Sequence, residues 1–316
     1  MKRLTGLILS IIILAGGLLA GCSEKPVAVT PEASKIEGEG WPRTIKDASD
    51  NGVVLEKRPE RIAVLHPLYL DYFFALDTPP IASISAAEAM EKFATLQPYA
   101  GSADIIDLGS DSANLEKIIE AQPDVIVTFK GSVDTIYDEL NKIAPVILID
   151  YTDTWENTTM LLAEVVGKEE LAKQLIKDTQ EMIAKTKDQL GTLEDKTFAL
   201  LRVDGKANFN AQGSKNTMYY NQTAGFGLLA PKGYPEGGEA LTLEGLYDMN
   251  PDYIIIQHDI DVAKAAVKEK ESSKVWNSLE AVKNNHVLIF DNSLNSASVL
   301  AVRLASEYFL KMAEHN

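Results

Sequence analysis

The sequence predicts an α/β protein: two α/β lobes with mainly parallel sheets, joined by one long α-helix. Three observations predict this. Short runs rich in Ile and Val, flanked by Pro or Gly, alternate with helical spacing in both halves of the chain, as parallel βαβ units require. Between the halves, residues 168–190 keep helical spacing with few breakers and many Lys and Glu. Residues 114–129 (NLEKIIEAQPDVIVTF) also align without a gap on residues 242–257 (TLEGLYDMNPDYIIIQ).

Residues 1–21 stand outside the fold. Lys2 and Arg3 open the chain, and residues 4–20 are apolar apart from Thr5 and Ser10. That order is an export signal; a spanning anchor would need about 20 apolar residues. Leu19-Ala20-Gly21-Cys22 resembles the bacterial lipoprotein box, which implies cleavage before Cys22 and acylation of its thiol. Cys22 is the one cysteine in 316 residues, so no disulfide supports the fold. Residues 22–40, rich in Pro, Glu, Ser and Gly, read as a flexible tether.

The N-terminal lobe is expected over residues 41–167. Asp47, Ser49 and Asn51 alternate as in a calcium loop, but the twelfth position is Arg58 rather than Glu, and the loop fails. Asn51-Gly52 between residues 44–46 and 53–57 reads instead as a hairpin turn. Strands are expected at 62–65, 81–84, 125–129 and 146–149, and helices at 68–76, 115–121 and 133–143. Tyr72, Phe73 and Phe74 read as core. Gly167 marks a joint. The connecting helix takes residues 168–191, with Leu171, Leu175, Met182 and Ile183 as its apolar stripe and Gly191 as its stop. The C-terminal lobe, residues 192–316, carries strands at 198–203, 253–257 and 287–290 and a last helix at 298–312.

The repeat pairs Leu115 with Leu243, Glu116 with Glu244, Pro123 with Pro251 and Asp124 with Asp252. Asn114 and Thr242 suit helix N-caps. The Pro-Asp pairs turn a helix into a buried strand. A Glu in a first helical turn gains a little from the helix dipole. Two at matching positions also make a pair of exposed carboxylates, one per lobe, suited to a two-fold symmetric partner. Acidic residues outnumber basic ones 46 to 30, for a formal charge of −16, which argues against nucleic acid.

The chain resembles the substrate-binding lipoproteins of bacterial ABC importers, in the ferric siderophore, haem and cobalamin branch. The resemblance rests on Arg58-Pro59-Glu60-Arg61-Ile62-Ala63-Val64-Leu65, on Leu108-Gly109-Ser110 followed by Asn114-Leu115-Glu116, and on Pro123-Asp124-Val125-Ile126-Val127. In the second half it rests on Leu243-Glu244, Pro251-Asp252 and Ala281-Val282-Lys283-Asn284-Asn285-His286-Val287. It implies a ligand cleft between the lobes and a monomer tethered by Cys22 to the outer face of the cytoplasmic membrane. It also implies that Glu116 and Glu244 meet the two subunits of an ABC permease. No intrinsic cofactor is expected, since ferric iron would arrive inside a siderophore.

Ligands of such folds sit outside the carboxyl ends of the strands. That selects His66, Tyr69 and Lys130 in the first lobe and Arg202 and His258 in the second; Tyr219 follows a loop expected near the same cleft. Basic groups suit siderophore oxygens, and aromatic rings suit an apolar ligand body. Competing readings make His66 a helix cap beside Pro67 and Arg202 a surface partner of Asp204. Few basic residues, Lys130, Arg202 and Lys215, fall at expected cleft positions. That favours a weakly charged hydroxamate complex over a catecholate.

A direct zinc or manganese binder, or a haem or cobalamin binder, is the nearest alternative. Only His66 and His258, of four histidines, are expected near the cleft, and a metal site needs several converging ligands. An exported enzyme is the more distant one. Gly225-Phe226-Gly227-Leu228-Leu229-Ala230 matches a dinucleotide fingerprint in letters, but lacks a strand before it and a helix after it. No catalytic motif is found.

Overall fold

Ile- and Val-rich runs too short for helices form two separate sheets in the computed structural model, which describes residues 40–50, 52–110, 112–204 and 208–314. The signal, Cys22 and the tether up to residue 39 lie outside the described residues. All described residues belong to one compact unit.

A hairpin comes first. β1 (Arg43–Lys46) pairs antiparallel with β2 (Gly52–Leu55), and Lys46 faces Gly52. The connection therefore spans residues 47–51, and Gly52 lies in the strand; the expected two-residue turn is corrected, and Asn51 itself is outside the described residues. A tertiary tie explains the wider loop. Asp47 accepts hydrogen bonds from Ser49 N (2.8 Å) and from Leu148 N (3.2 Å), which holds the loop against a neighbouring strand.

The first sheet follows. Its elements are β3 (Ile62–Val64), α1 (Leu70–Ala75), β4 (Ala82–Ser83), α2 (Ala86–Lys92), β5 (Ile106–Asp107), α3 (Leu115–Ala121), β6 (Val125–Phe129), α4 (Tyr137–Ile143) and β7 (Val146–Ile149). All five strands are parallel, in the order β5-β4-β3-β6-β7. Alternate side chains enter different cores. Val125, Val127, Ile147 and Ile149 face one cluster, while Ile126, Val146 and Leu148 face the other. Burial on both faces is why these strands read as continuous apolar runs. Tyr72, Phe73 and Phe74 are core.

Two helices link the sheets. α5 (Trp155–Val166) ends at Gly167, whose φ of 66° gives a left-handed cap, the conformation glycine adopts without strain. α6 (Glu169–Leu190) then runs for 22 residues. Its buried face is Ala172, Thr179, Ile183, Thr186 and Leu190, rotated from the expected stripe. The threonines are tolerated there because each is bonded: Thr179 accepts from Arg303 Nε (3.0 Å), and Thr186 donates to Met182 O (2.9 Å). Gly191 does not stop the helix with a left-handed turn. Its φ is −55°, and a 3-10 turn, Gly191–Leu193, carries on.

The second sheet holds β8 (Phe198–Val203), β9 (Phe209–Ala211), β10 (Glu239–Leu241), β11 (Tyr253–Gln257) and β12 (Val287–Phe290), in the order β10-β9-β8-β11-β12. β8, β11 and β12 are parallel, whereas β9 runs antiparallel to both its neighbours. α7 (Thr217–Tyr220), α8 (Leu243–Met249), α9 (Ile260–Lys270), α10 (Glu280–Lys283) and α11 (Val299–Glu314) complete the chain.

The repeat is structural. α3 and α8 have seven residues each, N-capped by Asn114 and Thr242 side chains and closed by left-handed Gln122 and Asn250. The matched aspartates have a role their spacing does not reveal. Asp124 accepts from Glu60 N and Arg61 N, and Asp252 accepts from Thr197 N and Thr197 Oγ1, all at 2.9 Å. Each carboxylate thus fixes the chain as it enters the adjacent strand, β3 or β8.

The lobes meet along a polar seam. Asp71 on α1 is 1 % exposed. Its carboxyl is bonded by Thr95 Oγ1 (2.8 Å) from its own lobe and by Ser298 Oγ (2.8 Å) and Ser296 Oγ (3.1 Å) from the other. Asp291 accepts from Ala94 N at 3.0 Å across the same boundary. α11 lies over the seam, with Val299 and Val302 in the second core and Leu300 against the first.

Burial raises the Asp71 pKa from 3.8 to about 7, against the opposing pull of its three hydroxyls, and Asp291 raises it further. The folded protein therefore binds a proton that the unfolded chain has released between about pH 4 and 7. This group's contribution is greatest at low pH and is lost as pH rises through 7. Asp71→Asn should flatten that dependence in thermal melts taken from pH 5 to 8; an unchanged slope would show that Asp71 is ionised throughout. Asp71→Ala, which strands three hydroxyls, should cost about 2–4 kcal/mol in urea unfolding.

Candidate functional site

A parallel strand delivers its last residue to one end of its sheet, so the residues after β3, β6 and β7 collect at one end of the first lobe. Those after β8, β11 and β12 collect at one end of the second. The two ends face each other. The turn Pro67–Tyr69 after β3 touches the turn Asn292–Ser296 after β12, and Lys92 Nζ reaches Asp259 at 3.5 Å across the gap.

The first wall is aromatic. His66 leaves β3 in extended conformation, and its Nδ1 accepts from Leu68 N at 3.3 Å, so the side chain caps the turn that follows. Its ring meets Phe129 edge-on at 5.3 Å and Tyr69 at 5.8 Å. Tyr151, just after β7, extends the group, with its ring 6.2 Å from Phe129 and 73 % of its surface exposed. Burial lowers the His66 pKa and raises that of Tyr69, which keeps both neutral near pH 7. Lys130 follows β6 as expected, but it is exposed and donates to Ala48 O at 3.3 Å, which turns it toward the hairpin loop.

The second wall is polar. Arg202, the penultimate residue of β8, is half-buried. Its Nη1 donates to Asn292 Oδ1 (2.8 Å) and to Gln257 O (3.3 Å). Both acceptors are neutral, and among the described residues no carboxylate forms an ion pair with it. Burial lowers its pKa, yet a guanidinium stays charged in proteins. His258 follows β11, with Nδ1 accepting from Asp259 N at 2.8 Å. Burial, then the charge of nearby Arg202, lowers its pKa.

Tyr219 is a correction. It is fully buried, its hydroxyl donates to Gln257 Oε1 at 3.0 Å, and its ring packs between Phe226 and Phe309. It belongs to the second core and offers no surface to a ligand. Lys215 is likewise tied outside, in an exposed pair with Glu236 at 2.7 Å. The fingerprint-like segment explains the packing here. A Cβ on Gly225 would lie 2.1 Å from Thr217 O, so only glycine lets this loop close on α7, and no helix follows it.

Phe129, Tyr151 and Asn292 were missed. Each lies at or just after the carboxyl end of a strand, β6, β7 and β12, so the rule that selected His66 and His258 would have found them. Glu116 and Glu244 are both exposed in the first turns of α3 and α8. Each helix starts at the cleft-facing end of its lobe, because it follows β5 or β10, whose carboxyl ends point that way. Among the described residues, no group of three His, Cys, Asp or Glu is placed to hold a metal ion.

Comparison with known proteins gives this arrangement a context. A family model described as "Periplasmic binding protein" matches residues 62–294. The iron-uptake system-binding protein of Bacillus subtilis is 28 % identical over 272 residues, covering 78 % of this chain and 84 % of that protein. The iron(3+)-hydroxamate-binding protein FhuD of the same organism is 26 % identical, covering 92 % and 90 %. Among solved structures, FeuA of B. subtilis complexed with ferri-bacillibactin superposes with a TM-score of 0.72 at 24 % identity, over 87 % of this chain and 99 % of that one. SirA of Staphylococcus aureus complexed with staphyloferrin B gives 0.70 at 23 %, over 85 % and 98 %. These superpositions establish the two-lobed fold.

Tyr219→Phe should lower stability by about 1 kcal/mol, the worth of one buried hydrogen bond, measured by urea unfolding. A loss near zero would mean that Gln257 finds another donor.

Proposed function

We propose that this chain, which belongs to the periplasmic binding protein family, captures a ferric siderophore between its lobes and delivers it to an ABC permease. The observation that carries the reading is Arg202: a half-buried guanidinium at the carboxyl end of β8, held by neutral acceptors, in the lobe opposite the one that carries the aromatic cluster. A half-buried cation with no ion-pair partner among the described residues is ready for oxygen ligands of an incoming complex, and charge-assisted hydrogen bonds are about twice as strong as neutral ones. The rings His66, Phe129 and Tyr151 offer the opposite face to an apolar or planar ligand body, while Tyr69, buried in the first core, backs them and offers little surface itself. Iron chelated inside its carrier needs no protein ligands, in keeping with the chemistry of these two walls.

The single guanidinium also supports a ligand class. A ferric tris-catecholate is strongly anionic and calls for several cations. A ferric trihydroxamate is near neutral and calls for few. With Lys130 turned to Ala48 and Lys215 paired to Glu236, the cleft suits the hydroxamate. The similar proteins name both classes, iron(3+)-hydroxamate for the FhuD relative and triscatecholate for FeuA, so the choice rests on the charges of the cleft.

Glu116 and Glu244 would present one carboxylate from each lobe to basic groups on the two permease subunits. Cys22 would carry the lipid that keeps the protein on the outer face of the cytoplasmic membrane, as in relatives named lipoproteins. Two acyl chains make a stable anchor where one is marginal, and tethering raises the effective concentration at the permease.

Tryptophan fluorescence of the purified chain without its signal tests the ligand reading. The titrants are a ferric trihydroxamate, a ferric tris-catecholate, ferric citrate, haem, cobalamin and zinc. Saturation by the ferric hydroxamate and not by its iron-free form is expected. Arg202→Gln should weaken that binding about tenfold or more, the scale of one charge-assisted hydrogen bond, with the melting temperature unchanged or raised. Saturation by zinc alone would replace the siderophore with a bare metal ion. For the docking reading, Glu116→Ala with Glu244→Ala should leave ligand affinity intact and abolish uptake in cells.

A further inference from the structure

Single exposed apolar side chains are ordinary on a protein surface. Two at one repeated position are not. Ile119 on α3 is 57 % exposed, and Tyr247 on α8 is 48 % exposed. They occupy the same place in the two copies of the repeat, 128 residues apart, as do Glu116 and Glu244. In each helix the apolar residue lies three positions after the glutamate, which brings the two side chains to one face. Each lobe therefore offers the same pair, a carboxylate with an apolar knob beside it.

The setting of the first knob is apolar as well. Leu115, Ile119, Pro123 and Ile143 line one shallow groove between α3 and α4. The helices themselves do not need these knobs. Leu246 and Ile118 already supply the buried anchors of α8 and α3, and a polar residue at the outer position would serve stability equally well. Among the described residues, neither Glu116 nor Glu244 forms an ion pair, so the charge next to each knob is also left for a partner.

We infer that Ile119 and Tyr247 are a second docking determinant, seated in apolar sockets that flank the basic groups of a two-subunit permease. The inference rests on the proposed delivery to such a permease and deepens it. Charge complementarity selects this occupant: a partner that reads both lobes must repeat a basic group and an apolar socket about a two-fold axis, as two copies of one subunit do. The two parts divide the work. Long-range attraction between charges sets the rate and orientation of encounter, while burial of a packed apolar side chain sets how long the complex lasts.

The test replaces the full-length lipoprotein in its host with variants. It follows iron-55 supplied as a ferric trihydroxamate and, in parallel, as a ferric tris-catecholate. Ile119→Ser with Tyr247→Ser should cut uptake about tenfold or more, the range of a lost apolar anchor, with ligand affinity and melting temperature of the purified protein unchanged. Val54→Ser with Val262→Ser, exposed apolar positions outside the repeat, should leave uptake at the wild-type level. Should serine lower the melting temperature, Ile119→Lys with Tyr247→Lys keeps the surface soluble and should abolish uptake. Full uptake in the serine and lysine variants, with uptake lost in the Glu116→Ala, Glu244→Ala protein, overturns the apolar determinant and leaves the glutamate reading standing. Full uptake in all of them overturns both. No uptake of either carrier by cells with the wild-type protein overturns the siderophore reading itself.

Discussion

The arrangement of the two lobes depends on a carboxyl group buried without a salt bridge. Asp71 sits in the seam between the lobes, its partners three hydroxyls contributed by both sides. A buried polar group must keep its hydrogen bonds or lose several kcal/mol. Rotation of one lobe away from the other would strip Ser296 and Ser298 from the carboxyl and Ala94 N from Asp291. These hydrogen bonds join the lobes alongside the apolar contacts. The helix α11 reinforces the junction, since its apolar residues pack on both cores.

The cleft is asymmetric although the lobes repeat one another. The first wall is built from rings and the second from a guanidinium, amides and an imidazole. The repeat explains how this can be. It preserves what folds a βα unit: the N-cap, the left-handed C-cap, the aspartate that clamps the next strand, and the buried apolar positions of β6 and β11. The residues just after the strands carry no such duty. They are free to differ, and there the two lobes do differ, with Lys130 and Tyr151 on one side and His258 and Asn292 on the other.

The exposed ends of α3 and α8 behave oppositely. There the repeat extends to surface residues that the fold does not require, Glu116 with Glu244 and Ile119 with Tyr247. The strand ends thus diverge between the lobes while the helix starts stay alike.

The sequence by itself determined the two lobes, the long helix between them and the strands at 125–129, 146–149, 198–203, 253–257 and 287–290. All five are apolar runs, and β6, β7 and β11 are almost wholly buried, which writes itself as runs rich in Ile and Val. The helices α3 and α8 were equally legible, because caps are local chemistry. β9 and β10 were not: they are three residues each and partly polar, too short to show a period. The hairpin loop escaped because Asp47 is held by Leu148, a hundred residues away. The strand-end rule placed His66, Arg202 and His258 at the facing ends of the two sheets, since position along a parallel strand fixes which end a residue reaches. Only the tertiary structure decided which neighbours those residues keep. It turned Lys130 to the hairpin, sealed Tyr219 in the core, and set Tyr151 and Asn292 at the cleft. It alone created the seam at Asp71, because a hydrogen bond between residues more than two hundred positions apart leaves no periodic trace in either of them.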